Sequence, residues 1–199
     1  MDEFLRDELS EMRAEDWRVR AELAVDGSLY DGYHPRMEEI HRRHAARLAE
    51  ILDERGWPGA SLVGEDGAEA AWLIAQHAIS VPELQRRALA LIREAAARGE
   101  AKAEHWARLE DRVRVHEGRP QLFGTQFDWD ERGQMSPLPI EDVGGVEARR
   151  RAVGLPPLPE TVRRQRAGIA ATREEPPRDW HERQRRFEQW ARATGWREI

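Results

Sequence analysis

A glutamine and a histidine at the end of the most apolar stretch, Gln76 and His77 in AAWLIAQH, are the residues best placed for chemistry. The negative end of a helix dipole stabilises imidazolium. His77 could therefore act as a general base or proton donor while Gln76 orients a substrate or a water molecule. The competing interpretation is a core histidine that hydrogen-bonds a carbonyl group.

A second candidate lies in EGRPQLFGTQFDWDERGQMSPLPI, residues 117–140, the one long segment without helical periodicity. Gly124 permits close backbone approach to a ligand, and Thr125 and Gln126 offer neutral donors and acceptors. Gln121 lies five residues before Gln126. These residues could grip a polar small molecule, or they could form a structural turn whose side chains satisfy local backbone groups.

Arg112 and Trp72 complete the predicted site. The planar guanidinium of Arg112 could bind a carboxylate or phosphate, although Asp111-Arg112 could equally form an ion pair that ties its helix to the hairpin. Trp72 precedes His77 on the same apolar segment. The predicted catalytic set is His77, Gln76 and Gln126, and the predicted substrate-binding set is Arg112, Gln121, Thr125 and Trp72.

A histidine cluster offers a different chemistry. His41 and His44 are three residues apart and share a helix face. Together with a third histidine, His34 or His77, and with Glu38, they could hold zinc. The spacing lacks the His-Glu-x-x-His signature, so the predicted site contains no metal ligand and no cofactor. The basic run Arg149-Arg150-Arg151 is a separate feature. Such a run is typical of a solvated helix face, although one of the three arginines could point inward and bind an anion.

Composition excludes several classes of protein. The net charge of -6, from 32 basic and 38 acidic residues, argues against general nucleic-acid binding, which needs a basic footprint. There is no cysteine, hence no thiol nucleophile and no disulfide. The acidic start lacks the pattern of a signal peptide, and no apolar run reaches the roughly 20 residues of a membrane span. No phosphate loop, dinucleotide fingerprint or Gly-x-Ser-x-Gly motif is present. We expect a cytoplasmic protein.

Periodicity predicts a mainly α fold, a helical bundle around a central buried helix with a small β-hairpin. The central helix is predicted at 65–78 and the hairpin at 121–140. Residues 1–29 are predicted to form an N-terminal helical arm, 30–160 the core domain, and 161–199 a C-terminal helical appendage. The terminal helices could pack on the core or form a homodimer. The other helices are predicted at 2–25, 35–55, 80–99, 102–116, 141–153, 160–170 and 179–194.

Several short motifs together resemble an uncharacterised bacterial family, a domain of unknown function. The resemblance covers roughly residues 30–160 and leaves the first helix and the C-terminal tail outside. It implies a bacterial domain without a named activity, and it singles out Gln76, His77, Gln121, Thr125 and Gln126. The motifs are Gly32-Tyr33-His34-Pro35, Gly56-Trp57-Pro58, Ala71–His77, Asp111-Arg112, Gly118–Gln121, Gly124–Gln126 and Arg150–Leu155.

Three hypotheses follow for function. The first is a small-molecule site between the Gln76-His77 helix end and the Gly124-Thr125-Gln126 hairpin, in a cofactor-independent hydrolase or transferase. The second is a non-enzymatic interaction module, such as an immunity or regulatory protein, in which the same residues form a buried polar network. The third is a metal enzyme built on His34, His41 and His44.

Overall fold

A computed structural model describes residues 1–25, 27–30, 32–172 and 174–198. These residues form eight α-helices and one two-stranded antiparallel sheet, which confirms the predicted mainly α fold with a small hairpin. The chain divides into two compact units, Met1–Trp106 and Ala107–Ile199. The predicted division into an arm, a core domain and an appendage stays a prediction.

The first unit contains four complete helices and the start of a fifth. The complete helices are α1 (Glu3–Val25), α2 (Pro35–Arg55), α3 (Ala60–His77) and α4 (Pro82–Ala97). Pro35 and Pro82 occupy first helical positions, where the missing N–H costs nothing. Helix α5 (Ala103–His116) begins in the first unit and ends in the second.

Helix α3 is central to the first unit, because it contacts α1, α2 and α4. Its alanines at 70, 71 and 75 are fully buried, and their small side chains let neighbouring helices approach closely. The helix starts earlier than predicted. A first turn at 60–63 precedes Gly64, whose positive φ of 72° breaks the helical backbone before the regular segment begins.

Helices α1 and α2 pair in opposite directions through charged side chains. Glu8, Glu15 and Glu22 recur every seven residues along α1. They meet Arg47, Arg43 and Arg36 of α2, in that order. Each exposed pair is worth only about 0–1 kcal/mol, so the pairs contribute more to register than to stability.

The apolar residues of α1 and α2 form a core beside these pairs. Val19 and Leu23 pack with Met37 and Ile40, and Tyr33 covers that cluster. The register that the core and the ion pairs fix together brings Asp16 of α1 to His41 of α2.

The second unit contains the hairpin and the last three helices. Strand β1 (Phe127–Trp129) pairs antiparallel with β2 (Met135–Pro137), and Gln121 and Ile140 form a single parallel bridge outside the ladder. The ladder is shorter than the predicted hairpin for two reasons. Pro137 and Pro139 have no backbone N–H to donate to a neighbouring strand, and the backbone N–H groups of Leu122 and Thr125, before β1, donate to Asp111 instead. The helices are α6 (Val146–Ala152), α7 (Leu158–Thr172) and α8 (Trp180–Ala193).

The α8 end of the chain packs within this unit. Rings from Phe187, Trp190 and Trp196 surround His116, with centroid distances between 4.9 and 6.1 Å. Arg197 donates to the carbonyl groups of Val115 and His116 at the end of α5. Among the described residues, no helix combines the length and apolarity needed to cross a membrane.

Candidate functional site

Three side chains from three helices of the first unit converge on one point, and we call them the Asp16 centre: Asp16 of α1, His41 of α2 and His77 of α3. Asp16 Oδ2 lies 2.7 Å from His41 Nε2 and 2.8 Å from His77 Nδ1. One ligand atom from each residue lies within 4.8 Å of the others. The imidazole rings are tilted by 42° with centroids 5.1 Å apart.

The centre is nearly closed to solvent. Asp16 is 3% exposed and His41 6%, whereas the side chain of His77 is 19% exposed and gives the centre its contact with solvent. Asp16 Oδ1 is buried, and no hydrogen-bond partner for it exists among the described residues. A buried carboxylate oxygen without a donor is costly, so this atom marks an incomplete set of interactions.

The electrostatics of the centre keep its carboxyl group ionised. Burial by itself would raise the pKa of Asp16, but the hydrogen bonds from His41 and His77, with the charge of both rings, lower it well below its usual range. On the far side of His41, the hydroxyl of Tyr33 lies 2.8 Å from Nδ1. Burial raises the pKa of Tyr33 to about 12, so this hydroxyl stays protonated.

Two further contacts hold the end of α3 that carries His77. Gln85 of α4 is fully buried, and its Nε2 donates to the carbonyl oxygens of Ala75 and Gln76 at 2.7 and 3.0 Å. Carbonyl groups at a helix C-terminus have no partner in the helix itself, so Gln85 fixes this end. Gln76 is 6% exposed, which makes it a core residue of the first unit.

Two of the histidines that the sequence grouped with His41, namely His34 and His44, lie outside the Asp16 centre. His34 caps α2, where its Nδ1 accepts from the backbone N–H of Arg36 at 3.1 Å. His44 Nε2 meets Glu15 Oε2 at 2.9 Å, and burial lowers the pKa of His44. Glu38 accepts from Arg42. The predicted set His34, His41 and His44 is therefore not the cluster that forms. His41 joins His77, the alternative third histidine, and Asp16 takes the place of Glu38 as the carboxylate.

The sequence offered one signal for Asp16 that was missed. The buried residues of α1 are Leu5, Leu9, Asp16, Val19 and Leu23. Asp16 follows Leu9 by seven residues, about two helical turns, and precedes Val19 by three residues, so it occupies the apolar stripe. An acidic residue on the buried face of an amphipathic helix needs a partner.

In the second unit, the predicted substrate-binding residues surround a second carboxylate, and we call this arrangement the Asp111 clamp. Asp111 is fully buried. It accepts from the backbone N–H groups of Leu122, Phe123 and Thr125 at 2.7, 3.0 and 2.9 Å, and from the Thr125 hydroxyl at 2.9 Å. The clamp thereby fixes the backbone that leads into β1.

Gln121 and Gln126 extend the same network. Gln121 is fully buried; its Nε2 donates to the carbonyl oxygens of Gln126 and Leu138, and its Oε1 accepts from the Gln126 N–H. Gln126 Oε1 accepts from Arg112 Nε at 3.2 Å, and Gln126 Nε2 donates to Thr125 Oγ1 at 3.1 Å. The structure thus brings Arg112, Gln121, Thr125 and Gln126 together, while their role in binding a substrate stays a prediction.

One member of the basic run points inward. Arg150 is 1% exposed, and its guanidinium donates to the carbonyl oxygens of Phe123, Gly124 and Pro156 and to Thr161 Oγ1. Burial lowers the pKa of Arg150. Its observed partners are backbone carbonyl and hydroxyl groups, and these contacts hold the Gly124 turn opposite the Asp111 clamp.

Trp72, the remaining predicted residue, lies in the first unit. Its indole stacks on His105 with centroids 4.0 Å apart and planes 7° apart, and its Nε1 donates to the His105 carbonyl oxygen. These contacts attach α3 to the start of α5. Its predicted role in substrate binding also stays a prediction.

The donor set of the Asp16 centre suits a divalent transition metal. Imidazole nitrogen with carboxylate oxygen is a common ligand set for zinc and iron, whereas calcium and magnesium prefer oxygen alone. Two ligands about 2.1 Å from one ion are about 3.4 Å apart in tetrahedral geometry. Because the observed N···O separations are 2.7 and 2.8 Å, small side-chain movements would suffice.

The model of a family of unknown function, DUF6624, matches residues 4–170. The match is wider than the predicted resemblance at about 30–160, because it includes α1 and with it Asp16. Helix α8 lies beyond it. No curated protein and no solved structure matches the sequence. The family model spans most of the chain and contains all three residues of the Asp16 centre, so the protein belongs to the DUF6624 family.

Proposed function

We propose that the Asp16 centre binds a divalent transition-metal ion and that the protein is a metal-dependent enzyme. The observation that carries the proposal is the convergence of two imidazoles and one buried carboxylate, whose second oxygen has no donor among the described residues. A cation would supply a partner for the charge of Asp16 and for that oxygen. Both histidines would then serve as nitrogen ligands.

Three protein ligands leave coordination positions for water and substrate, which is the pattern of catalytic sites and differs from closed structural sites. A bound ion lowers the pKa of its water to near 7, so that hydroxide forms at neutral pH. Hydroxide could attack an electrophilic carbonyl or phosphoryl centre while the leaving group takes the proton. The proposed reaction class is therefore hydrolysis of a polar substrate, entering from the side where His77 meets solvent.

Metal titration tests the proposal. Protein stripped with a chelator is titrated with Zn²⁺ and, for its visible spectrum, with Co²⁺. We expect one ion per chain and an increase of about 2.7 kcal/mol in the free energy of unfolding at 100 times the dissociation constant. For a chain of this length the melting temperature would rise by roughly 5–10 °C. Asp16→Asn, His41→Gln and His77→Gln should each abolish stoichiometric binding.

His44→Gln is the matched control. His44 lies on the same helix as His41, is similarly buried, and also meets a carboxylate, that of Glu15. It lies outside the Asp16 centre, so its replacement should leave the metal stoichiometry at one. Equal loss of binding in His44→Gln and His41→Gln, or no binding to the folded wild-type chain, would contradict the proposed centre.

A second candidate function uses the same residues without a metal, and it retains the predicted role of His77. The 2.8 Å contact between His77 Nδ1 and Asp16 Oδ2 supports it, since a carboxylate that orients a histidine is the arrangement of general-base catalysis. His77 Nε2 would then exchange protons with the substrate. This candidate is favoured if the wild-type chain binds no metal but a thermal-shift screen of polar metabolites finds a ligand whose effect His77→Gln removes.

The interaction-module hypothesis is supported by the second unit. There Gln121 uses both groups of its amide on backbone partners, which is typical of a residue that holds a loop. Binding of a polar ligand by Arg112, Gln121, Thr125 and Gln126 and dimerisation through the terminal helices remain proposals. Gln126→Ala with the same metabolite screen tests the first, and the molar mass in solution tests the second.

A further inference from the structure

Tyr33 contacts the Asp16 centre from outside the set of candidate ligands. Its hydroxyl lies 2.8 Å from His41 Nδ1, while the opposite ring nitrogen, Nε2, faces Asp16. The phenol ring also stacks on the imidazole, with centroids 5.7 Å apart and planes 21° apart. Tyr33 therefore fixes both the position and the orientation of His41 without being able to reach the ion that Nε2 would bind.

The hydroxyl group is suited to this place because it can donate or accept. When the His41 ring is neutral, donation to Asp16 places the ring proton on Nε2 and makes Nδ1 an acceptor for the Tyr33 O–H. A metal on Nε2 requires its lone pair, which moves the ring proton to Nδ1 and makes Tyr33 the acceptor. A carboxylate beside Nδ1 could serve only the second arrangement, whereas a hydroxyl serves both.

We propose that Tyr33 is the positioning residue of the metal centre and holds the His41 ring with Nε2 toward the ion in both tautomers. The inference rests on the proposed metal centre and deepens it, since it says what determines the affinity of that centre. Residues that hydrogen-bond a ligating histidine orient the ring and raise its basicity, and their loss weakens metal binding about 10–100-fold.

The experiment compares Tyr33→Phe with the wild-type chain. Phenylalanine keeps the ring that stacks on His41 and removes only the hydroxyl. We expect the dissociation constants for Zn²⁺ and Co²⁺ to rise about 10–100-fold. The visible spectrum of the Co²⁺ form should also change, because the freed imidazole ring reorients. Nitrogen NMR of the imidazole in the zinc form of the wild-type chain should show His41 with its proton on Nδ1.

Glu15→Gln provides the matched control. It removes the carboxylate that meets His44, a neighbouring contact between a histidine and an oxygen that lies outside the centre. Its metal affinity should stay within about twofold of wild type. A purely structural role for Tyr33 would lower the melting temperature of the metal-free variant and leave the affinity and the cobalt spectrum unchanged.

The outcomes separate this inference from the proposal beneath it. If wild type binds one ion and Tyr33→Phe binds it equally tightly, the role of Tyr33 is wrong and the metal centre stands. A folded wild-type chain that binds neither Zn²⁺ nor Co²⁺ contradicts both. A proton on Nε2 of His41 in the zinc form would likewise overturn the role assigned to Tyr33, because that nitrogen could not then be the ligand.

Discussion

Among the described residues, each unit buries one aspartate, Asp16 in the first and Asp111 in the second, and the two carboxylates are satisfied in different ways. The carboxylate of Asp111 is occupied by three backbone N–H groups and a hydroxyl. Asp16 meets two histidine side chains through one oxygen, and its other oxygen has no donor among the described residues. The carboxylate of Asp111, whose oxygens are occupied by backbone donors, fixes a loop. The carboxylate of Asp16, which is held by histidine side chains and has an oxygen without a donor among the described residues, is suited to bind an ion.

The largest effect should come from removing the charge of Asp111. Asp111→Asn puts an amide NH₂ group against donors and leaves buried N–H groups unsatisfied. We expect the free energy of unfolding to fall by about 3–5 kcal/mol, measured by urea denaturation. Asp128→Asn is the control, because Asp128 pairs at the surface with Arg183 and should cost about 0–1 kcal/mol. Equal losses in the two variants would contradict the structural role of the clamp.

His116 is a buried histidine without a carboxylate partner among the described residues, and its effect on stability should therefore depend on pH. Burial lowers the pKa of His116 to about 3, and the charges of Arg112 and Arg197 add to the effect. Because the folded-state pKa lies below the unfolded value of about 6.5, the unfolded chain binds the extra proton as pH falls through this range. Stability contributed by neutral His116 is thus complete above about pH 6.5 and is lost toward pH 3.

From this residue alone we expect a loss of about 3 kcal/mol between pH 7.5 and pH 4. His116→Gln should remove that part of the pH dependence measured by chemical denaturation. His181→Gln should not, because His181 is exposed on α8. An unchanged pH profile in His116→Gln would contradict the neutral, buried state of this ring.

A glycine in the loop fixed by the Asp111 clamp should show an intermediate effect. Gly124 has φ of 70°, and a Cβ there would lie 2.9 Å from Ile140 Cδ1 and 3.0 Å from Leu158 Cδ1. Gly154 has φ of 76° with open space around it. Both Gly→Ala variants carry the backbone strain of about 1 kcal/mol, but Gly124→Ala should lose a further 1–2 kcal/mol, roughly, through crowding. Equal melting temperatures would show that the loop can adjust.

The smallest effect on stability should come from Asp16→Asn in the metal-free protein. Both histidines meet Asp16 Oδ2, so either the oxygen or the NH₂ group of an asparagine amide could bond both rings from that position. The amide also removes the cost of burying a charge. The amide loses the interactions that lower the pKa of Asp16, and the gain from no longer burying a charge offsets this loss in part. We therefore expect the free energy of unfolding to fall by about 1–2 kcal/mol, measured after chelation. A loss as large as that of Asp111→Asn would show that both carboxylates are structural, and the contrast between the two units would fail.

The sequence was sufficient for the helices whose boundaries are local. Pro35 starts α2 and Gly56, with φ of 71°, ends it. The most apolar stretch of the sequence predicted a central helix, and α3 contacts α1, α2 and α4 in its unit. Pro137 and Pro139 are typical of an edge or irregular strand, and β2 ends at Pro137. These features depend on the conformational preferences of single residues or on the distribution of apolar residues along the sequence.

The composition of the Asp16 centre was decided by tertiary structure. His77 could be identified from the sequence because its position at the end of a helix is a local feature. Its partner Asp16 lies 61 residues away in the sequence, and Asp16 in turn connects His77 to His41. His41 and His44 look alike on one helical face, and Glu15 and Asp16 are adjacent. The packing of α1 against α2 and α3 decides that Asp16 is buried between His41 and His77 while Glu15 turns toward His44 and Arg43. Burial and pairing depend on which helix faces meet, and that is fixed by the sum of many contacts distant in sequence.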